Sequence, residues 1–331
     1  MLQWSGWVIV LEATLGIVQA MYGYTQTGSF DIANGDYVEG TIHPALPSEA
    51  SFSNPIFSVG LALLLIAMLY RIFVQKTGHT VYLLGIIAFI LASVLHVALF
   101  LFVAFAISII LFFPEFFRRK SGCLLVIFLT LSVLFAFFVL RSNFRTLSNF
   151  IRATVQLETP RALVVNRVLY EMPEEYPFMP LVGIGPGQFS SRAGLIGTGL
   201  YLGGTDNPVS LPLLPTGMSK PFETYVYDLW LDYSHRPGYK SSTVMPFFSW
   251  MSISVEFGVL TLSLIFVWVL GLLWVIKMKI STHTERIIAV SFGAGTLLIL
   301  LLGIQENYWE IPQAILPGIM LLKVQYALLN Q

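Results

Sequence analysis

Long apolar runs separated by polar stretches dominate the chain. Eight of them read as membrane spans: Trp4–Tyr22, Ile56–Val74, Val81–Leu95, Ala98–Phe113, Cys123–Leu140, Phe247–Ile276, Ile287–Ile304 and Ile311–Leu329. A helix needs roughly 20 mostly apolar residues to cross a hydrocarbon core of about 30 Å. Val81–Phe113 is nearly unbroken, too long for one helix and short for two. Orientation decides it. The short polar connections Arg71…Lys76, Pro114–Lys120 and Lys277…Arg286 are all basic, and short Lys/Arg-rich loops stay cytoplasmic. For the first two to share a side, Val81–Phe113 must cross twice, as a pair of short helices turning near His96. That places Gly23–Pro55, Arg141–Met245 and Gln305–Glu310 outside, with both termini cytoplasmic.

The expected fold is therefore an all-α polytopic membrane protein of about eight transmembrane helices with one large outer loop. Residues 1–140 carry about five spans and the outer loop 23–55, residues 141–245 form the large loop, and residues 246–331 carry about three spans. The first run lacks a basic leader and an A-x-A site, so no cleavable signal peptide is expected. No solenoid repeat or low-complexity tract appears, nor an inverted repeat of the transporter kind.

Composition agrees. Of 331 residues, 56% are hydrophobic and 11% charged, with a mean hydropathy of +0.77, whereas soluble domains carry roughly 25% charged residues. A water-soluble enzyme and a disordered chain are both excluded. The formal charge of zero, 18 basic against 18 acidic residues, gives no reason to expect nucleic acid as a partner. Cys123 is the single cysteine, which rules out an intrachain disulfide and a cysteine metal cluster. His43 and His96 lie in different segments with no carboxylate pair at ligand spacing, so no metal is expected either.

The charge is unevenly placed. The loop 141–245 holds seven of the eleven arginines (141, 145, 152, 161, 167, 192, 236), only two of the seven lysines, and eight acids. Guanidinium offers a planar fork that matches phosphate bidentately and never deprotonates. A loop handling a diphosphate beside a membrane would favour it. Arg141, Arg145 and Arg152 fall on one helical face, where they serve either a diphosphate or the lipid headgroups.

Within the loop, Pro173–Pro180 reads as extended. It is followed by Gly183-Ile-Gly-Pro-Gly-Gln-Phe-Ser-Ser-Arg192. Three glycines in five residues cannot be a helix interior. Such a turn is either a plain tight turn or one whose N–H groups approach a ligand, with Gly185, Gly187 and Gln188 as the candidates. It is not a nucleotide-binding loop, since no Lys-Ser/Thr follows. Glu256 lies about ten residues into the sixth run. A carboxylate at that depth must face a partner, either loop arginine or backbone N–H. Glu306 and Glu310 sit among aromatics at the outer interface, which suits an aromatic belt or sugar binding equally. Tyr176, Phe178, Tyr225, Tyr227 and Trp230 either stack on sugar rings or pack the loop's own core.

Val182-Gly-Ile-Gly-Pro-Gly-Gln-Phe-Ser-Ser-Arg-Ala193, Pro246-Phe-Phe-Ser-Trp…Val-Glu-Phe-Gly258, Asn307-Tyr-Trp-Glu-Ile-Pro-Gln313 and Asp36-Tyr-Val-Glu-Gly-Thr41 resemble the O-antigen ligase/polymerase family. The resemblance runs from about Asp31 to Leu329, and the glycine segment is its most specific part. It implies a GT-C-type, metal-independent, inverting glycosyltransferase without a cofactor, at the outer face of the bacterial cytoplasmic (inner) membrane. Its substrate would be an oligosaccharide on undecaprenyl diphosphate, its surroundings the lipid bilayer, and its further partners other polysaccharide export components. Arg192 matches the family arginine after the glycine turn, and with Gly203 it also fits an Arg-x10-Gly pattern of polymerase loops. Glu256 and Gly258 match the family's Glu-x-Gly. A ligase carries a His-Asn pair just before this helix. Here that stretch is Val244-Met-Pro-Phe-Phe-Ser249, without histidine, which favours a polysaccharide polymerase. The family usually has ten or more spans, so a chain truncated before Trp4 or a short, diverged member is expected.

On this reading Arg192 stabilises the departing diphosphate, Arg141, Arg145 and Arg152 assist at headgroup level, and the general base comes from His235, Asp232, Asp228 or Glu256. The alternatives are an O-antigen ligase acting on lipid A-core, a polysaccharide-lipid transporter or flippase, and an inactive truncated member. A transporter would need charge deep in several spans, where only Glu12, His96, Glu256 and Lys323 stand.

Overall fold

The computed structural model describes residues 2–28, 37–44, 53–92, 94–115, 148, 152–199, 209, 217–235 and 245–329. Among these the regular structure is helical, without strands. In chain order the helices are α1 (Leu2–Thr27), α2 (Ser53–Phe73), α3 (His79–Ala92), α4 (Leu95–Phe112), α5 (Pro160–Asn166), α6 (Met172–Glu175), α7 (Met179–Val182), α8 (Arg192–Gly197), α9 (Lys220–Phe222), α10 (Asp228–His235), α11 (Ser249–Phe257), α12 (Val259–Lys279), α13 (His283–Leu302) and α14 (Pro312–Leu329). Wider π turns join α5 to α6 at Arg167–Glu171 and α9 to α10 at Glu223–Tyr227. Among the described residues five helices, α1, α2, α12, α13 and α14, are long and apolar enough to cross a membrane. The chain is in this sense a helical membrane protein.

One expectation changes. The run Phe247–Ile276 is not one helix: α11 ends at Phe257, Gly258 takes φ 86° and ψ 153°, and α12 starts afresh. Within Val81–Phe113 one helix ends at Ala92 and the next begins at Leu95, with His96 in the first turn of α4 and its ring edge-on to Phe100 at 6.3 Å. With 14 residues, α3 is about 21 Å long, short of a bilayer core. The predicted span Cys123–Leu140 lies outside the described residues.

The chain divides into two compact units, Met1–Thr146 with Leu272–Leu301 and Pro312–Gln331, and Leu147–Gly271 with Leu302–Ile311. In the first, α2 is the central helix, with Val59, Leu61, Ala62, Leu63, Ile66, Ala67 and Met68 buried. Glycines let the neighbours close in: Gly85 of α3 lies against Leu65 and Ile9, Gly318 of α14 against Leu63, and Gly295 of α13 against Leu322. Small residues serve this purpose where helices pack in lipid. Two polar side chains in this interior, Ser291 and Gln325, pair with each other. Ser291 Oγ donates to the Ile66 carbonyl at 2.6 Å and accepts from Gln325 Nε2 at 2.6 Å. The segment around Val38–Thr41 folds back on α1. Gln19 Oε1 accepts from the N–H groups of Glu39 and Gly40 at 2.8 and 2.7 Å, and Glu12 accepts from the Thr41 N–H at 2.9 Å and from its hydroxyl. Glu12 is thereby used within the fold.

The second unit has its own apolar core of Val164, Met172, Met179, Phe189, Phe222, Val226, Trp230, Phe247, Met251 and Val255. Trp230 packs edge-on against Phe222 and Phe247, with centroids 5.9 and 5.7 Å apart. Edge-to-face pairs of this kind add about 0.5–1.5 kcal/mol beyond area burial. Three of its short helices start behind hydroxyl caps: Thr159 accepts from Ala162, Ser191 from Gly194 and Ser219 from Phe222. Such caps satisfy N–H groups that the first helical turn leaves open.

Candidate functional site

The site is built in the second unit where α11 ends. The Val255 and Glu256 carbonyls, left without partners by the break at Gly258, accept from the Ile184 and Gly185 N–H groups at 2.9 and 3.0 Å. Two glycines make this crossing possible. A Cβ on Gly183 would overlap the Glu256 carbonyl, and one on Gly258 would overlap the Leu181 carbonyl and lie 2.9 Å from the Val182 nitrogen. Both also have positive φ, 73° and 86°, a region costly for residues with a side chain.

The turn that follows closes around the Glu256 side chain. Glu256 Oε2 accepts from the Gly187 N–H at 2.6 Å, and Oε1 accepts from Phe189 and Ser191 at 3.1 and 3.0 Å. Glu256 is 2% exposed. Three N–H groups converging on one anion is the arrangement by which a glycine turn holds a phosphate, but here the anion is the protein's own carboxylate. Of the two partner types expected for Glu256, backbone N–H is the one present.

The third family-like segment joins the same cluster. Ser190 and Ser252 share a hydrogen bond of 3.1 Å, Asn307 Nδ2 donates to the Ser190 carbonyl at 2.8 Å, and Ser252 Oγ donates to Asn307 Oδ1 at 3.4 Å. The opening N–H groups of α11, on Ser249 and Trp250, donate to the Glu306 and Gly303 carbonyls at 3.2 and 3.1 Å. The Arg192 N–H donates to Glu310 Oε2. Residues 184–192, 249–256 and 303–310 thus form one hydrogen-bonded body.

The sequence-predicted residues divide. Arg192 is half-buried, with its backbone on Glu310 and its guanidinium acting on both Glu306 and Glu310. Burial pushes Glu306 up to about 7 against the pull of Arg161 and Arg192. Burial likewise pushes Glu310 up to about 7, with the Glu256 charge adding to it and the Arg192 N–H and guanidinium opposing. The N–H groups of Gly185 and Gly187 are spent on Glu256. This departs from the expectation that they approach a ligand, because an internal acceptor reaches them first. Glu256 itself is enclosed, so its geometry suits positioning better than proton transfer. Gln188 and Arg152 are exposed. His235 ends α10. Arg141, Arg145 and Gly203 lie outside the described residues.

Asp228 is held below the ordinary carboxylate range, mainly by its hydrogen bonds from Arg167 at 2.6 and 2.7 Å. That pairing makes it a weak base. Tyr225 and Trp230 are buried in the unit's core. Tyr225 donates to Glu175 at 3.0 Å, and burial followed by that carboxylate raises it to about 12. Tyr176 and Tyr227 pack against the same core, and Phe178 is exposed.

One residue that sequence reasoning did not single out is Arg161. Its Nε donates to the Met245 carbonyl at 3.1 Å, Nη1 to Ile304 at 3.2 Å and Nη2 to Gln305, while the guanidinium lies 5.0 Å over the Phe248 ring. It clamps the entrance of α11 to the turn after α13. Nothing in the sequence separates it from the six other loop arginines.

Compared with protein-family models, curated proteins and solved structures, the chain matches none of them.

Proposed function

We propose that this chain transfers a glycan from undecaprenyl diphosphate to a second lipid-linked glycan at the outer face of a bacterial cytoplasmic membrane, as a polysaccharide polymerase. One observation carries the reading. The three segments of this unit on which the family resemblance rests, far apart in sequence, meet in one hydrogen-bonded body with Arg192 at its edge. A resemblance arising from scattered chance matches gives no reason for them to meet.

In this reading the leaving group is a lipid diphosphate, and Arg192 offsets the charge that develops as it departs. Removing one such preorganised donor costs about 10²–10³ in rate. Glu256 and the glycine turn set the backbone from which Arg192 projects. Glu310 places beside Arg192 a carboxylate whose proton affinity lies near neutrality, the range that suits a general base for the acceptor hydroxyl. The GT-C architecture and the eight-span topology belong to the same proposal.

The test is incorporation of the purified full chain into nanodiscs with undecaprenyl-diphosphate repeat units, followed by gel analysis. The expected result is a ladder of oligomers that Arg192→Ala abolishes and Arg192→Lys restores only in part. Wild-type protein that binds the lipid-linked substrate yet yields no oligomers would overturn the proposal.

A further inference from the structure

Helix α7 is apolar on the face it turns outward. Met179 is buried in the core of the second unit, whereas Phe178, Leu181 and Val182 are 72%, 60% and 70% exposed. No charged residue stands between Phe178 and Val182. A segment of a water-facing loop ordinarily turns polar groups outward and buries its apolar ones, and contiguous exposed apolar surface marks an interaction site.

The position of this patch identifies its occupant. Leu181 and Val182 lie against the backbone of Gly258, one residue before α12. Helix α12 has 21 residues, about 31 Å at 1.5 Å per residue, which matches the hydrocarbon core by itself. Val259 therefore lies at the boundary of that core. Val259, Leu260, Leu264, Val267 and Trp268 of α12 are exposed, as the lipid-facing side of a span must be. The Phe178–Val182 patch thus adjoins the chain at Gly258, immediately before the first exposed residue of α12.

We infer that Phe178, Leu181 and Val182 form an interfacial anchor inserted into the outer leaflet of the bilayer, so that the glycine turn begins at the hydrocarbon boundary. The inference goes beyond the proposed reaction and rests only on α12 being a membrane span. The occupant is lipid acyl chain and the headgroup boundary. Interfacial amphipathic helices bury their apolar face about 5–10 Å into that zone. Pro177 and Pro180, flanking or within the patch, remove N–H groups that would otherwise need partners there.

The test uses the full chain in nanodiscs on a Cys123→Ser background, with single cysteines introduced as Phe178→Cys, Leu181→Cys and Val182→Cys, each carrying an environment-sensitive fluorophore. Val267→Cys on α12 reports the span itself, and Glu174→Cys, at an exposed acidic position, reports water. Lipids spin-labelled near the top of the acyl chain are expected to quench the three patch positions several-fold more than Glu174→Cys. Aqueous iodide should do the reverse. Quenching of all three patch positions by iodide and not by lipid would overturn the inference. Shielding from both quenchers would also overturn it, in favour of a protein partner or a second copy of the chain. Loss of lipid quenching at Val267→Cys would instead overturn the membrane reading, which keeps the two failures distinct.

Discussion

Replacing Glu256 is the sharpest test of how the glycine turn is held. In Glu256→Ala the Gly187, Phe189 and Ser191 N–H groups lose an acceptor at 2.6, 3.1 and 3.0 Å. Hydrogen bonds to a charged group contribute about 1.5–3 kcal/mol each. The three act as a unit, and water entering the vacated space recovers part of the loss, so about 3–5 kcal/mol is expected, as when one side of a buried charged pair is removed. Glu256→Gln keeps one acceptor oxygen but turns an NH₂ towards N–H donors, and about 1–3 kcal/mol is expected. The assay is amide hydrogen exchange by mass spectrometry on peptides covering 183–193. A loss of about 3 kcal/mol raises exchange of these amides roughly 10²-fold, at 1.4 kcal/mol per tenfold. Unchanged protection in Glu256→Ala would refute the reasoning. Activity lost in Glu256→Gln with protection intact would assign Glu256 to proton transfer instead.

Gly258→Ala meets both a positive φ and the Leu181 carbonyl. It is expected to destabilise the second unit by about 2–4 kcal/mol, seen as a lower Tm in detergent. Arg161→Lys keeps the charge but loses the fork that reaches three carbonyls and the face over Phe248. It should lose most of what Arg161→Ala loses, about 2–4 kcal/mol, by the same measurement. Glu306 and Glu310 hold their protons more tightly in the folded chain, at about 7 against 4.5. Their neutral forms are thus favoured by folding, and stability falls as pH rises from about 4.5 through 7 and levels off above. The full difference corresponds to about 3 kcal/mol for Glu306 at pH 8, and less for the more open Glu310. Thermal unfolding scanned from pH 5 to 8 should show this fall, and Glu306→Gln should flatten it. A stability that rises over that window contradicts the burial of these carboxyls.

The helices were legible because a lipid-facing or buried helix leaves a long apolar run, and such runs set where α1, α2, α13 and α14 fall. The break at Gly258 was hidden by the same uniformity, since Phe257 and Val259 continue the apolar run on either side and only backbone φ marks the change. The glycine turn was legible as a turn, because three closely spaced glycines exclude a helix interior. Its partner was not, because Glu256 lies about 70 residues away and nothing local names an acceptor. Glu256 itself stood out through the cost of burying a carboxylate. The aromatics were undecidable from sequence: Trp230 and Tyr225 have the chemistry to stack on a sugar, and only the arrangement of Phe222 and Phe247 around Trp230 puts it in the core. Arg161 was invisible for a related reason, since what distinguishes it is three carbonyls supplied by residues 245, 304 and 305.

That division bears on the chemistry. A glycine turn and a neighbouring arginine both offer positive character to a diphosphate, and the sequence alone gives them equal standing. Once Glu256 fills the turn, its converging N–H groups have no capacity left for a second anion, and an incoming phosphate would have to displace a carboxylate bound by three hydrogen bonds. The loop guanidinium groups do not share that limit equally. Arg161 is committed to backbone carbonyls and Arg167 to Asp228, whereas Arg192 is half-buried at the edge of the cluster beside Glu306 and Glu310. Under the proposed function, the carboxylate that fills the turn shifts the diphosphate-binding role from backbone N–H groups to side chains, of which Arg192 is the one assigned. On this reading Glu256→Ala and Arg192→Ala should both abolish transfer, but only the first should also release the turn's amides to exchange.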